Sequence, residues 1–154
     1  DEGRGGPSAK YLLEFERGNA YAPGLKHALA KAQRIASLET ADGARVIDDP
    51  DVQRKFADLA IRIEALDATE LRIFSSLASG QSVGAASSML KCAGSEAQQA
   101  ISELTLEART KPPRPGPASA APAAPSYFNY RKTSIYAGSN EIQRNIMAKM
   151  VLGL

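Results

Sequence analysis

Apolar residues return every three or four positions along most of this chain, the spacing that gathers them on one side of an α-helix. From Lys10 to about Glu39 the recurring positions are Leu12, Phe15, Leu25, Leu29, Ala32 and Ile35. Pro23-Gly24 interrupts that run and predicts a kink, because proline lacks a donor and crowds the preceding turn. "TADGARVIDDP" predicts a polar connection, and its end is a helix start. Asp49 can cap, Pro50 suits the first helical position, and Asp51 lies favourably at the positive end of the helix dipole. The helix predicted over 50–79 carries the clearest stripe of the chain: Val52, Phe56, Leu59, Ile63 and Leu66.

Gly80-Gln81-Ser82 breaks the pattern. A third helix is predicted over 83–109, with Val83, Leu90, Ala93, Ala97, Ala100, Ile101 and Leu104 on its face. Many of these are small, which lets a neighbouring helix approach closely. Residues 111–126, "KPPRPGPASAAPAAPS", have no periodic face and predict an extended, semi-rigid connector over the surface. "YFNYRKTSIY" predicts a short helix or turn. Ser139 to Val151 predicts a final helix with Ile142, Ile146, Met147 and Met150 on one face and Gly153 past its end. No segment reads as a strand and no repeat is present. The expected fold class is all-α: an antiparallel, four-helix-bundle-like arrangement of three long helices and one or two short ones.

Composition narrows the function classes. With 154 residues, 44% of them hydrophobic, the chain suits one domain with a real core. A net charge of +2 from 19 basic and 17 acidic side chains makes no strong field for nucleic acid or an anionic membrane. Aromatics at 6% argue against stacking platforms for single strands. No apolar run approaches the roughly 20 residues of a membrane span. The single Cys92 cannot form an internal disulfide, reads as a small buried residue, and fits a reducing, cytoplasmic compartment. With one His and one Cys there is no metal-ligand cluster and no Cys-His pair. His27, mid-helix, is not assigned a role.

Two stretches carry candidate chemistry. In "LLEFERGNAYAPG", residues 12–24, Glu14, Glu16 and Arg17 crowd into one turn. Glu14 and Glu16 are two apart and face different directions, so a solvated charged edge fits the spacing as well as a site does. In the closing "IYAGSNEIQ", Ser139 can cap the last helix and leave backbone N–H groups at its positive end, a natural place for an anion. Gly138 permits a positive φ or a close approach. A plain turn-and-cap fits these residues equally.

The closing "IYAGSNEIQRNIMAKMVLGL" resembles the C-terminal signature of acyl-CoA dehydrogenases, Tyr-x-Gly-Thr/Ser-x-Glu-Ile-Gln-Arg. "AKYLLEFERGNAYAPG" resembles the start of that family's C-terminal helical domain. "IDDPDVQRKFADLAIRIEAL" and "KCAGSEAQQAISEL" are similar to a bacterial subgroup with pimeloyl-CoA-dehydrogenase-like large subunits. The resemblance implies that residues 1–154 are the C-terminal helical domain alone, without the family's N-terminal helical and central β domains. The opening "DEGRGGPSAK", which lacks a Met, agrees with a trimmed start. The resemblance further implies α,β-dehydrogenation of an acyl-CoA thioester, in which a carboxylate takes the α-proton while hydride passes to FAD.

In many members the residue between Tyr and Gly of the closing motif is the glutamate base; here it is Ala137. In other members the base lies in the first helix of the bundle, immediately before an Arg. The match is Glu16, followed by Arg17, so the resemblance implies a relocated base. By the same matching, Glu14, Arg17, Tyr136 and Gly138 would line the substrate site, and Ser139, Asn140 and Glu141 would contact FAD. The implied partners are an electron-transfer acceptor protein and further subunits in a homo- or hetero-oligomer. Two departures stand out. "ETADGARVIDDP" lacks the family's Arg-x-x-Phe-Gly, and the proline-rich 111–126 stands in place of its Gln-x-x-Gly-Gly. These losses point to a heteromeric assembly and keep a non-catalytic, structural subunit as an alternative. A flavin monooxygenase on the same fold is a third reading.

Overall fold

The computed structural model describes residues 20–81, 84–110 and 123–154. Leu12, Phe15, Glu14, Glu16, Arg17, Val83 and the part of the connector at 111–122 lie outside the described residues. The remainder is an all-α bundle with one small hairpin. No helix among the described residues is long and apolar enough to cross a membrane.

Helix α1 spans Ala22–Leu38. Ala20 and Tyr21 are not helical, so Pro23 lies in the first turn of a helix and does not kink one already under way. The first turn is where proline's missing N–H removes no intrahelical bond. Leu25, Leu29, Ala32 and Ala36 are buried, and Ile35 packs half-buried against the same core.

The polar connection after α1 holds structure the periodicity did not predict. Thr40–Ala41 (β1) and Ala44–Arg45 (β2) pair antiparallel around Asp42-Gly43, whose φ values are 52° and 83°. Two successive positive φ values are what a tight hairpin turn needs, and Asp-Gly supplies them. Two-residue strands are too short to show alternation. A 3-10 turn, Val46–Asp48, then buries Val46 and leads to α2.

Helix α2 spans Pro50–Ala78, and the Asp49 carboxylate accepts the Asp51 N–H at 2.8 Å. The whole predicted stripe is buried, and it continues through Glu70 and Ile73. Each such apolar side chain contributes roughly 1.5–3 kcal/mol on burial. Helix α3, Ala86–Thr110, is the centre of the molecule and packs against every other helix. Leu90, Ala97, Ile101 and Leu104 face the core, whereas Ala93, expected on that face, is exposed.

Helix α4 spans Ala123–Tyr130, so the last four residues of the expected connector are helical. A 3-10 turn, Arg131–Ser134, follows. Helix α5, Asn140–Met147, passes into a π-turn, Ala148–Leu152, and ends at Gly153 with φ 72°. Of its expected apolar face, Ile146 and Met147 are half-buried, but its first turn places polar residues inward. Ile142 and Met150 are 53% and 60% exposed, while the residues buried on α5 are Asn140 and Gln143.

Candidate functional site: the closing corner and the start of α1

The chain between the 3-10 turn and α5 doubles back through Ala137 and Gly138, both with positive φ, 57° and 83°. Gln143, fully buried one turn into α5, holds that corner. Its Nε2 donates to the carbonyl of Ala137 at 3.1 Å and of Gly138 at 3.5 Å. A Cβ on Gly138 would stand 2.5 Å from the same nitrogen, so the close approach as well as the φ requires glycine. Ser139 then caps α5, its Oγ accepting the Ile142 N–H at 3.4 Å.

Asn140 carries the strongest anchor. Its Oδ1 accepts from Lys91 Nζ at 2.7 Å and from Ser95 Oγ at 3.1 Å, and its Nδ2 reaches Glu96 Oε1 at 3.4 Å. Glu96 also pairs with Arg144, one turn further along α5. Cys92 is buried as expected, with Sγ 3.7 Å from the Asn140 carbonyl. Burial holds the Lys91 ammonium below its ordinary pKa and pushes the Cys92 thiol up. The Glu141 carboxylate goes the other way. Its own backbone N–H, then the Ser139 hydroxyl, hold it below the usual carboxylate range.

Upstream, a reciprocal clamp fixes the approach to the corner. Gln99 Nε2 donates to the carbonyls of Tyr130 and Arg131 at 3.3 and 3.2 Å. Arg131 Nη2 returns a bond to the Gln99 carbonyl at 3.0 Å.

The start of α1 lies at the same corner. The α1 cap residue, Tyr21, offers no side-chain cap, and a carboxylate from α2 supplies one. Glu70, 2% exposed, accepts the N–H of Tyr21 at 2.6 Å and of Ala22 at 3.2 Å. The Tyr21 ring rests on Gly94 of α3. Burial raises the Tyr21 phenol, and Tyr136 and Glu70 raise it further through their charges.

Tyr136, Gly138, Ser139, Asn140 and Glu141 thus meet in one corner, with Tyr21 among them. Glu14, Glu16 and Arg17 lie outside the described residues, just before Tyr21. The Asn140 side chain is 3% exposed and turned into α3, where Lys91 and Ser95 use it. Ser139 and Glu141 remain on the accessible side, beside Tyr136 and Ile135, 54% and 68% exposed. That combination of a polar edge and an apolar bed fits a flavin ring. The Glu141 carboxylate at the helix start does not fit a phosphate.

Glu70, Lys91, Ser95 and Gln143 escaped the sequence reading. Glu70 had a signal: it falls four residues after Leu66, on the apolar stripe itself. A cavity of about 640 Å³ opens elsewhere, between the C-terminal halves of α1 and α3 and the start of α4. His27, Lys31, Arg34, Gln98 and Tyr130 are among its lining, and it does not include the closing corner.

Comparison with known proteins agrees on the fold. A structure of PigA with FAD and proline superposes with a TM-score of 0.81 at 22% identity, over 100% of this chain and 40% of that one. Butyryl-CoA dehydrogenase from Megasphaera elsdenii gives 0.80 at 21%, over 99% and 40%. An acyl-CoA dehydrogenase from Geobacillus kaustophilus gives 0.79 at 24%, over 100% and 40%. The chain therefore spans about 40% of the length of the structures it matches. No curated protein matches the sequence. The family described as "Acyl-CoA dehydrogenase, C-terminal domain" matches residues 3–152, and the chain belongs to that family.

Proposed function

We propose that this domain is part of a flavoenzyme that α,β-dehydrogenates an acyl-CoA thioester, with Glu16 as the base that removes the α-proton. The observation that carries the reading is the meeting of Tyr21 and the Tyr136–Ser139 turn at one corner. Glu16-Arg17 lies five residues before Tyr21, so a base delivered from that segment has a short tether to the turn. Ala137, at the position where many members hold the base, has no group to move a proton.

The chain's own residues divide the remaining work. Tyr136 and Gly138 offer a flat, partly exposed surface for the thioester, and Gln143 keeps that surface rigid from beneath. Arg17 and Glu14 belong to the acyl-CoA channel in this reading. Ser139, Glu141 and the main chain of Asn140 face FAD, which when bound supplies the hydride acceptor. A general base contributes typically 10²–10⁴-fold. An electron-transfer acceptor and partner subunits complete the assembly, and the pimeloyl-CoA-like subgroup is the narrower assignment we favour.

The test uses the full-length protein to which the domain belongs. Acyl-CoAs are added anaerobically and flavin bleaching is followed in wild type and Glu16→Gln. Fast bleaching that the variant slows by the factor above supports the reading. Identical rates would place the base elsewhere. A protein that takes up no flavin would be the structural subunit, and rapid reoxidation by oxygen would mark a monooxygenase.

A further inference from the structure

We infer that Lys91 is a positioning residue for the closing turn, acting through Asn140. This rests on the reading above, in which that turn lines the thioester. The start of α5 meets α3 through polar residues: Asn140 and Gln143 are buried and Ile142 is 53% exposed, while Ile146 and Met147 further along are only half-buried. Hydrophobic burial, which has no direction, does not by itself define the register of that start. Directional bonds to α3 do so instead, and they gather on the first residue of the helix. Lys91, 2% exposed, donates to Asn140 Oδ1 at 2.7 Å. Ser95, one turn along α3, gives the same oxygen its second.

The position of Asn140 matters because the turn hangs from it. Gly138 and Ser139 precede it directly, and Gln143, three residues on, ties the Ala137 and Gly138 carbonyls back to the helix. A shift of Asn140 along α3 therefore carries the whole corner with it. Keeping an ammonium buried has a desolvation cost, and apolar side chains at both positions would be as stable or more so. What they would lose is the single register that a charged hydrogen bond defines.

The experiment uses the full-length holoprotein and the variants Lys91→Met, Ser95→Ala and Lys91→Met/Asn140→Leu, with Glu16→Gln alongside. Hydrogen exchange is followed by peptide mass. Lys91→Met is expected to speed exchange over 134–147 by roughly 10- to 100-fold, the factor set by one charge-assisted bond, and to leave 50–78 unchanged. Ser95→Ala, the milder change, is expected to act in the same direction if Lys91→Met does not fold. The double variant is expected to recover the wild-type melting temperature but not the wild-type rate of flavin reduction by butyryl-CoA. Unchanged exchange over 134–147 in both single variants would overturn the inference. So would a double variant that regains both stability and rate, because Lys91 would then contribute stability alone. If Glu16→Gln reduces flavin as fast as wild type, the reading of the site fails, while the exchange data still judge the anchor.

Discussion

The ring of Tyr21 occupies the space that a side chain on Gly94 would need. A Cβ built on Gly94 would come within 2.5 Å of the Tyr21 ring carbon Cγ. This contact joins the start of α1 to the middle of α3, and Glu70 of α2 binds the backbone at the same point. Three helices are thereby locked at the end of the bundle where the closing turn lies. Gly94→Ala is expected to destabilise the domain by about 1–3 kcal/mol, the usual cost of overpacking. Urea unfolding measures it, and combining the change with Tyr21→Ala should recover part of the loss.

Glu70→Ala leaves the N–H groups of Tyr21 and Ala22 without their acceptor, in a place water cannot reach well. The expected loss is about 2–3 kcal/mol, since bonds to a charged partner are the stronger kind. Glu70→Gln keeps one carbonyl oxygen and is expected to lose less. Thermal unfolding of the two variants side by side checks the order; equal losses would mean that the volume, not the acceptor, matters.

Gly138→Ala meets two penalties, a φ of 83° and a Cβ 2.5 Å from Gln143 Nε2. About 1–3 kcal/mol is expected from the backbone alone. Ala137→Gly relieves a strained φ at the neighbouring position and is expected to be near neutral, because glycine loses more entropy on folding. Chemical denaturation of both variants tests this contrast.

The acid limb of the stability profile should carry a contribution from Glu141. Its own backbone N–H and the Ser139 hydroxyl lower its folded pKa, so the unfolded state takes up a proton first as pH falls. The stabilisation is present above the unfolded carboxylate value and is lost as pH drops through the folded one. Glu141→Gln is expected to flatten that part of the profile, as followed by melting temperature against pH.

Ile135, Tyr136, Ile142, Val151, Leu152 and Leu154 are all more than half exposed within the last twenty residues. Apolar surface of that extent marks an interaction site. The isolated 154-residue chain is expected to self-associate through it and to show no dehydrogenation on its own. Sedimentation velocity across a concentration series tests the first point, and Val151→Asp/Leu154→Asp should shift the distribution toward monomer.

Local sequence determined what depends on neighbours along the chain. The stripe from Val52 to Leu66 places one helix face in the core whatever surrounds it, and Asp49-Pro50 starts that helix by its own chemistry. Gly153 stops the last one. The corner at Gly138-Ser139 was legible for the same reason, since positive φ and capping are decided within a few residues. Tertiary structure decided the rest. Glu70 sits on an apolar stripe, and only the approach of α1 turns it into a cap. Lys91 and Asn140 lie 49 positions apart, and no spacing rule connects them. The same periodicity that found α5 said nothing of which side faces inward. Burial is non-directional, so polar residues can lie inward at the start of a helix when a partner helix supplies their bonds. That choice belongs to α3.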